Sequence, residues 1–462
     1  MQWISVIPLL VVLALLFRRQ HMLVAGFAGG LLALIIAALF GPVLPVIQET
    51  VQGNTVNVQL TIPRAFQQFN NSIVAMLSFT SPIVNAATAA MVAGAGGYAA
   101  SLELARRGLR GRIELLAPFV VLMQAFATYT AGLGAGNTVI TAPLIAAAMG
   151  APSGVIAGMA VATAGAFTTS PSSAESALVS RLAGFSDTGP YVEIMRPFFL
   201  LTVVAGMLIA WWDVRRRRDE VVAEAAVHAA TKDSDREREE SVSKQVFTLP
   251  PDTSTADLWR MTIPAIWLLG AVVLGRPIND LLRSVGLPQI MSPLFYVSVT
   301  IALVVLLARR RLEEATEGLV QGASFILVRL FAVGVFLAFI NMIQDIGAFK
   351  VLADAALSVP SAIVVPVAAI VGFLIAVPAG AYSVAVMGLL GPALAAAGFS
   401  PLQLGFVMMV IGMGTQISWV QINVAALSYG FNVSVPQVVR YNLPFVIPVA
   451  TVLTVLSFVF GR

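Results

Sequence analysis

Four short runs hold most of the polar chemistry that this chain keeps inside apolar sequence: TAGLGAGNT (130–138), TTSPSS (168–173), PAGAYS (378–383) and TQISWVQIN (415–423). Their side chains are hydroxyls and carboxamides, interleaved with glycine and proline that free backbone amides and carbonyls. Such groups do not perform acid–base or nucleophilic catalysis by themselves. They ligate: N–H groups at helix N termini suit an anion, and carbonyl and hydroxyl oxygens suit a hard cation. The candidate ligands are Gly136, Asn137, Thr138, Thr169, Ser170, Ser172 and Ser173 from the first pair of runs. From the second pair they are Gly380, Ser383, Thr415, Gln416, Ser418, Gln421 and Asn423. The plainer alternative for each serine or threonine is a hydroxyl bonded back to its own helix.

Two acids stand apart. Glu175 directly follows TTSPSS, and an ionisable group among apolar runs carries a proton, a cation or a partner; Arg181 is the nearest cation in sequence. Asp345, in QDIGAFKVL, is the second candidate for coupling, with capping of a helix end as its alternative.

The elements that position these groups follow from composition. With 58% hydrophobic and 11% charged residues in 462, the chain has too little polar surface to cover a water-soluble globule. Apolar runs of crossing length recur along it and are helical in character, which predicts an all-α polytopic protein of an inner membrane rather than an outer-membrane barrel. The run at 3–17 reads as a retained span, since no basic segment precedes it and no small-residue cleavage site follows. Cysteine is absent, and the two histidines, His21 and His228, fall at a span end and in a charged segment. No metal-ligand cluster, nucleophile–base pair or phosphate-binding loop is legible, so neither an enzyme nor an ATP-driven pump is expected, and no cofactor beyond a bound Na⁺. The basic excess is grouped between spans, which marks topology rather than nucleic acid.

Arg18 and Arg19, then Arg106, Arg107, Arg110 and Arg112, then the four arginines at 215–218, place three loops in the cytoplasm. The loop at 48–63 carries one acid and no base and belongs outside. The N terminus is thus expected outside, residues 214–258 form a charged cytoplasmic linker, and the second half starts from the opposite face. Arg309, Arg310 and Arg311 then fall on the cytoplasmic side as inversion requires, and the C terminus returns outside.

The halves align at a shift of roughly 250, pairing Pro118 with Pro366, Gly132 with Gly380, Pro143 with Pro392 and Gly165 with Gly414. Two inverted-topology repeats are expected, 1–213 and 259–462, each with five transmembrane helices and a re-entrant hairpin, one helix in each being discontinuous. The spans are 3–17, 22–46, 68–104, a broken helix from 152, and 193–212, with the hairpin at 113–150. In the second repeat they are 261–275, 289–308, 320–345, a broken helix at 401–429, and 442–460, with the hairpin at 361–398. Unpaired backbone survives at membrane depth only around a shared polar cavity, so the tips and breaks must converge.

On these features the chain resembles the ion transporter superfamily of secondary carriers, which includes dicarboxylate, citrate, gluconate and aminobenzoyl-glutamate carriers and some sodium/proton antiporters. TTSPSS and TQISWVQIN stand where the dicarboxylate symporters carry Ser-Asn-Thr signatures, without that tripeptide, and QDIGAFKVL is similar to the Asp-x-Gly stretch of citrate- and gluconate-type carriers. The resemblance implies a homodimer in a bacterial inner membrane, with a transport domain moving against a scaffold in an elevator-type motion. It further implies Na⁺- or H⁺-coupled transport of a small carboxylate, the alternative being a cation/proton antiporter.

Overall fold

The computed structural model describes the chain except residues 1, 19, 46, 52–53, 79, 110–111, 133–137, 139–140, 143–144, 147–148, 219, 222–248, 251, 352–359, 380–382 and 461–462. The first half contains α1 (Ile7–Phe17), α2 (Met22–Phe40), α3 (Ile62–Leu77), α4 (Thr80–Gly94), α5 (Gly97–Gly108), α6 (Ile113–Ala131), α7 (Ser153–Thr169), α8 (Ala174–Leu182) and α9 (Gly189–Arg216). The second contains α10 (Thr255–Ser284), α11 (Pro293–Leu306), α12 (Leu312–Asp345), α13 (Ser361–Ala379), α14 (Ser383–Ala396), α15 (Pro401–Thr415), α16 (Ile422–Gly430) and α17 (Val435–Phe460). An antiparallel hairpin, Ile47–Val51 paired with Asn54–Val58, lies in the loop expected outside. Among the described residues six helices are long and apolar enough to cross a membrane, eight if each bent pair counts as one span. This is a polytopic membrane protein with broken helices. Most of the linker lies outside the described residues.

Local sequence sets the boundaries. Ser292 and Ser400 each precede a proline and accept the N–H three residues on, from Phe295 (3.3 Å) and Gln403 (3.3 Å). Proline at the first helical position forfeits an N–H that had no partner in any case. At Ser400 the Gln403 side chain returns the bond to the Ser400 N–H at 2.6 Å, closing a capping box.

Two expected spans run longer, α10 over Thr255–Ser284 against 261–275 and α12 over Leu312–Asp345 against 320–345, and one differs in kind. Residues 68–104 form not one helix but parts of three, α3 and α4 meeting at a bend of 47° and α5 following a turn. Pro82 explains the bend, since in a continuous helix its ring would clash with the Ser78 carbonyl and leave that oxygen without a donor. The turn after α4 is made at Gly96 (φ +85°), and the turn after α12 is made at Gly347 with the same φ. These two glycines occupy matching places in the two halves, although α12 runs unbroken for 34 residues.

Packing divides the helices into two groups, each drawn from both halves. In one, α12 lies along α2, α3 and α4, and α10 lies on α5 and α11. In the other, α7 packs on α6, α9, α15 and α17, while α15 packs on α13 and α17. α7 is buried from Gly154 to Thr169 and α15 from Leu404 to Thr415, so both stand at the centre of the protein. Small residues let the backbones approach: a Cβ at Gly158 would stand 2.5 Å from the Gly206 carbonyl oxygen on α9.

The N terminus of α7 follows Pro152, which has no side-chain acceptor, and its cap comes from another helix. Asp213 of α9 accepts the Gly154 N–H at 2.7 Å and is held by Arg217 at 2.5 Å, which also donates to Ser153 Oγ at 2.7 Å. Replacing Asp213 with alanine removes a charged acceptor from a buried helix end. A loss of about 2 kcal/mol is expected, read as a lower thermal unfolding midpoint in detergent, and an unchanged midpoint would refute the cap.

Candidate functional site: two reciprocal junctions between hairpin tips and helix breaks

At the first break α7 stops at Thr169 because Ser170 is extended (φ −68°, ψ 139°), the conformation that the following Pro171 favours. Ser173 then caps α8, accepting the Ser176 N–H at 3.0 Å. Ser170 and Ser172 donate their hydroxyls to the carbonyls of Tyr129 (2.5 Å) and Thr130 (2.6 Å), in the last turn of α6. Those carbonyls have no partner within α6, so the break caps the first arm of the hairpin. The break's own carbonyls are met in turn, Thr168 by the Tyr191 hydroxyl at 2.8 Å and Pro171 by Thr188 at 3.1 Å. Exposed backbone at this depth is thereby satisfied by side chains.

Glu175 is the second residue of α8 and is 9% exposed. Its Oε1 accepts the hydroxyl of Ser383, the first residue of α14, at 2.8 Å. The carboxylate therefore lies at the N-terminal ends of two helices, one from each half, where both dipoles favour negative charge. Arg181, at the far end of α8, has its Nη1 buried without a hydrogen-bond partner among the described residues.

The second break repeats the arrangement with different chemistry. Asn423 is the second residue of α16, and its Oδ1 accepts the Thr138 hydroxyl from the first hairpin at 2.6 Å. Asn423 Nδ2 donates to Gln416 Oε1 at 2.7 Å, and the Gln416 carbonyl accepts from Asn442 Nδ2 at 2.8 Å. Behind Thr138, Gln124 of α6 donates to its hydroxyl at 2.7 Å and accepts the hydroxyl of Thr141. Each hairpin thus touches the broken helix of the other half, and Glu175 and Asn423 hold equivalent positions.

The remaining candidates divide. Thr169 and Thr415 bond back to the carbonyls of Gly165 and Gly412, each at 2.7 Å, as isolated helices permit. Ser418 accepts the Val420 N–H at 3.4 Å, and Gln421 caps the Ile422 N–H at 2.7 Å. Gly136, Asn137 and Gly380 lie outside the described residues. Asp345 joins α12 to α3, pairing with Arg64 (3.1 Å) and Gln68 (2.8 Å) across the two halves. Arg64 is thus a partner within the protein. Among the described residues no group of three or more His, Cys, Asp or Glu is placed to hold a metal ion. Gln124, Thr141, Tyr191 and Asn442 are also bonded into the junctions, and none of them stands among the residues that the sequence singles out. A glutamine in the middle of the apolar LAPFVVLMQAFATYT is the one signal of them that residue order carries.

The bond from Ser383 to Glu175 and the bond from Thr138 to Asn423 involve four different residues. Thr138→Val and Ser383→Ala should each lower stability by about 1 kcal/mol, and the double variant by the sum. Thermal unfolding of the three variants measures this, and strong non-additivity would show that the junctions are one coupled network.

No family model matches the chain, and no curated protein matches its sequence. The fold is similar to that of the Alcanivorax borkumensis YdaH transporter, whose crystal structure is described as having an unusual topology. The TM-score is 0.59 at 16% identity, over 96% of this chain and 99% of that one.

Proposed function

We propose that this chain is a secondary transporter that moves a small organic anion, of the carboxylate class, together with Na⁺ or H⁺. The observation that carries the reading is the reciprocal pair of junctions, in which hairpin tip and helix break from opposite halves meet around one carboxylate, Glu175, and one carboxamide, Asn423. A site of this build binds cation and anion by different parts. Glu175 with neighbouring hydroxyl and carbonyl oxygens takes the cation or proton, and amides freed at the breaks take the substrate carboxylate.

The two packing groups supply the moving parts. The group containing α6 to α9 and α13 to α17 carries both hairpins and both breaks and acts as the transport domain; the group built on α12 and α10 acts as scaffold and, in a homodimer, as the contact between subunits. Inverted repeats at 1–213 and 259–462 exchange conformations to give elevator-type alternating access in a bacterial inner membrane, with both termini outside and the linker at 214–258 cytoplasmic. No catalytic role is proposed.

Proteoliposome uptake of a panel of carboxylates under imposed Na⁺ or H⁺ gradients tests the reading. Accumulation of one substrate driven by one gradient is expected. Absence of any driven carboxylate flux, with robust exchange of Na⁺ for H⁺, would replace it with the antiporter reading, which the buried acid at Glu175 favours.

A further inference from the structure

We propose that an anionic phospholipid binds along one stripe of α6, with its phosphate among arginines at the membrane surface and an acyl chain in a crevice beside the hairpin arm. This rests on the membrane-embedded fold and not on the transport reading. A cavity of about 520 Å³ is lined by Arg112, Glu114, Leu115, Trp211, Arg215 and Arg218. Three guanidinium groups face one carboxylate, Arg218 standing 3.8 Å from Glu114, so the cavity is positive on balance. The Arg215 guanidinium lies over the Trp211 ring, 5.0 Å from its centroid, the pairing of cation and amphipathic ring that marks a headgroup region.

A second cavity, about 390 Å³ and almost wholly apolar, runs between α5, α6 and α10. Leu115 of the arginine cavity and Phe119, Leu122 and Phe126 of the crevice recur at the spacing of one helix face, so the two cavities share a stripe of α6. Along α6 the crevice extends from Phe119 to Thr130, about 16 Å at the helical rise of ~1.5 Å per residue. That is the share of one leaflet in a hydrocarbon core of about 30 Å. Its wall is open laterally, Trp259 and Ile266 each being 52% exposed.

An independent observation lies in the crevice wall. Thr262 Oγ1 is buried and has no hydrogen-bond partner among the described residues. Thr300, Thr316, Thr451 and Thr454 all return their hydroxyls to the carbonyl four residues back. An orphan hydroxyl in apolar surroundings needs an acceptor, and the ester carbonyl between phosphate and acyl chain supplies one. Free phosphate would use the arginines alone, and a neutral lipid the crevice alone. An anionic phospholipid uses both and satisfies Thr262.

Native mass spectrometry of the purified full-length protein, titrated with phosphatidylglycerol, phosphatidylcholine or inorganic phosphate, tests this. Phosphatidylglycerol should be retained at least about tenfold more strongly than phosphatidylcholine, since each arginine near a headgroup contributes on the order of a tenfold or less. The triple variant Arg112→Gln, Arg215→Gln, Arg218→Gln should lose that preference. Thr262→Val, a near-isosteric change that spares the fold, should weaken both lipids, and Ala265→Phe should do so by filling the crevice. Equal retention of the two lipids, or a preference that survives the triple variant, overturns the proposal. Full displacement by inorganic phosphate, with Ala265→Phe without effect, also overturns it, in favour of a soluble anion site.

Discussion

Glu175→Gln should abolish gradient-driven accumulation, by at least about tenfold in initial uptake, while leaving the protein folded and in the membrane. Glutamine keeps an oxygen that can accept the Ser383 hydroxyl, now at 2.8 Å, so the link between α8 and α14 survives. What is lost is charge. The carboxylate sits at two helix N termini whose dipoles stabilise an anion but which, with the acid neutralised, are left facing each other. A Na⁺ or proton bound to Glu175 cancels the same charge reversibly, and the amide cancels it permanently. Exchange of labelled for unlabelled substrate at equilibrium needs no net cation movement, so it should be far less affected than uphill uptake. Glu175→Ala differs in kind: it leaves the Ser383 hydroxyl without this acceptor and should lower stability by about 1–3 kcal/mol in addition. Wild-type uphill uptake in Glu175→Gln would move coupling to the hydroxyls and carbonyls of the breaks.

Much of this site could be read from residue order alone, and the reasons for what could not are specific. Both breaks fall where TTSPSS and TQISWVQIN interrupt apolar sequence, because proline and clustered hydroxyls act within a turn and their effect does not depend on distant partners. Span limits were less legible: α10 runs over Thr255–Ser284 where the sequence predicts 261–275, and α17 begins at Val435 rather than at 442, because helices continue past the apolar stretch that marks them. The bend between α3 and α4 was not legible, since one proline in a long apolar run is tolerated in many membrane helices and its consequence depends on what packs beside it. The roles of individual hydroxyls were hidden more deeply. Ser170 and Ser172 have the composition of ligands, yet their protons are held by the last carbonyls of α6, some forty positions earlier in the chain. Asp345 illustrates the same limit in the opposite sense. Its helix-end position is evident from sequence, but its partners Arg64 and Gln68 lie in the other half. Local rules gave the breaks, and only the fold says which groups meet across them.

Gly132→Ala should be the most damaging conservative change among the described residues of the first hairpin, costing several kcal/mol of stability and abolishing transport. Gly132 ends α6 with φ +68°, and an L-residue there bears a cost of roughly 1–2 kcal/mol from backbone conformation alone. Crowding costs more. A Cβ at this position would stand 2.1 Å from the Ser172 carbonyl oxygen and 2.7 Å from the Ser173 nitrogen, and both obstacles are backbone. Neither can rotate away, so the hairpin arm or the break must shift, and with it the bonds from Ser170 and Ser172 to Tyr129 and Thr130. Gly184 provides the control, because it has φ +79° but open space around its missing Cβ. Gly184→Ala should therefore show only the cost of the left-handed backbone, about 1 kcal/mol. The difference between the two unfolding midpoints isolates the contact between hairpin tip and break. Equal losses would mean that the tip does not press on the break, and that the first hairpin is free to open as a gate. A much larger loss at Gly132 would mean that α6 and the first break form a single body, so that access to Glu175 changes only when the whole group moves.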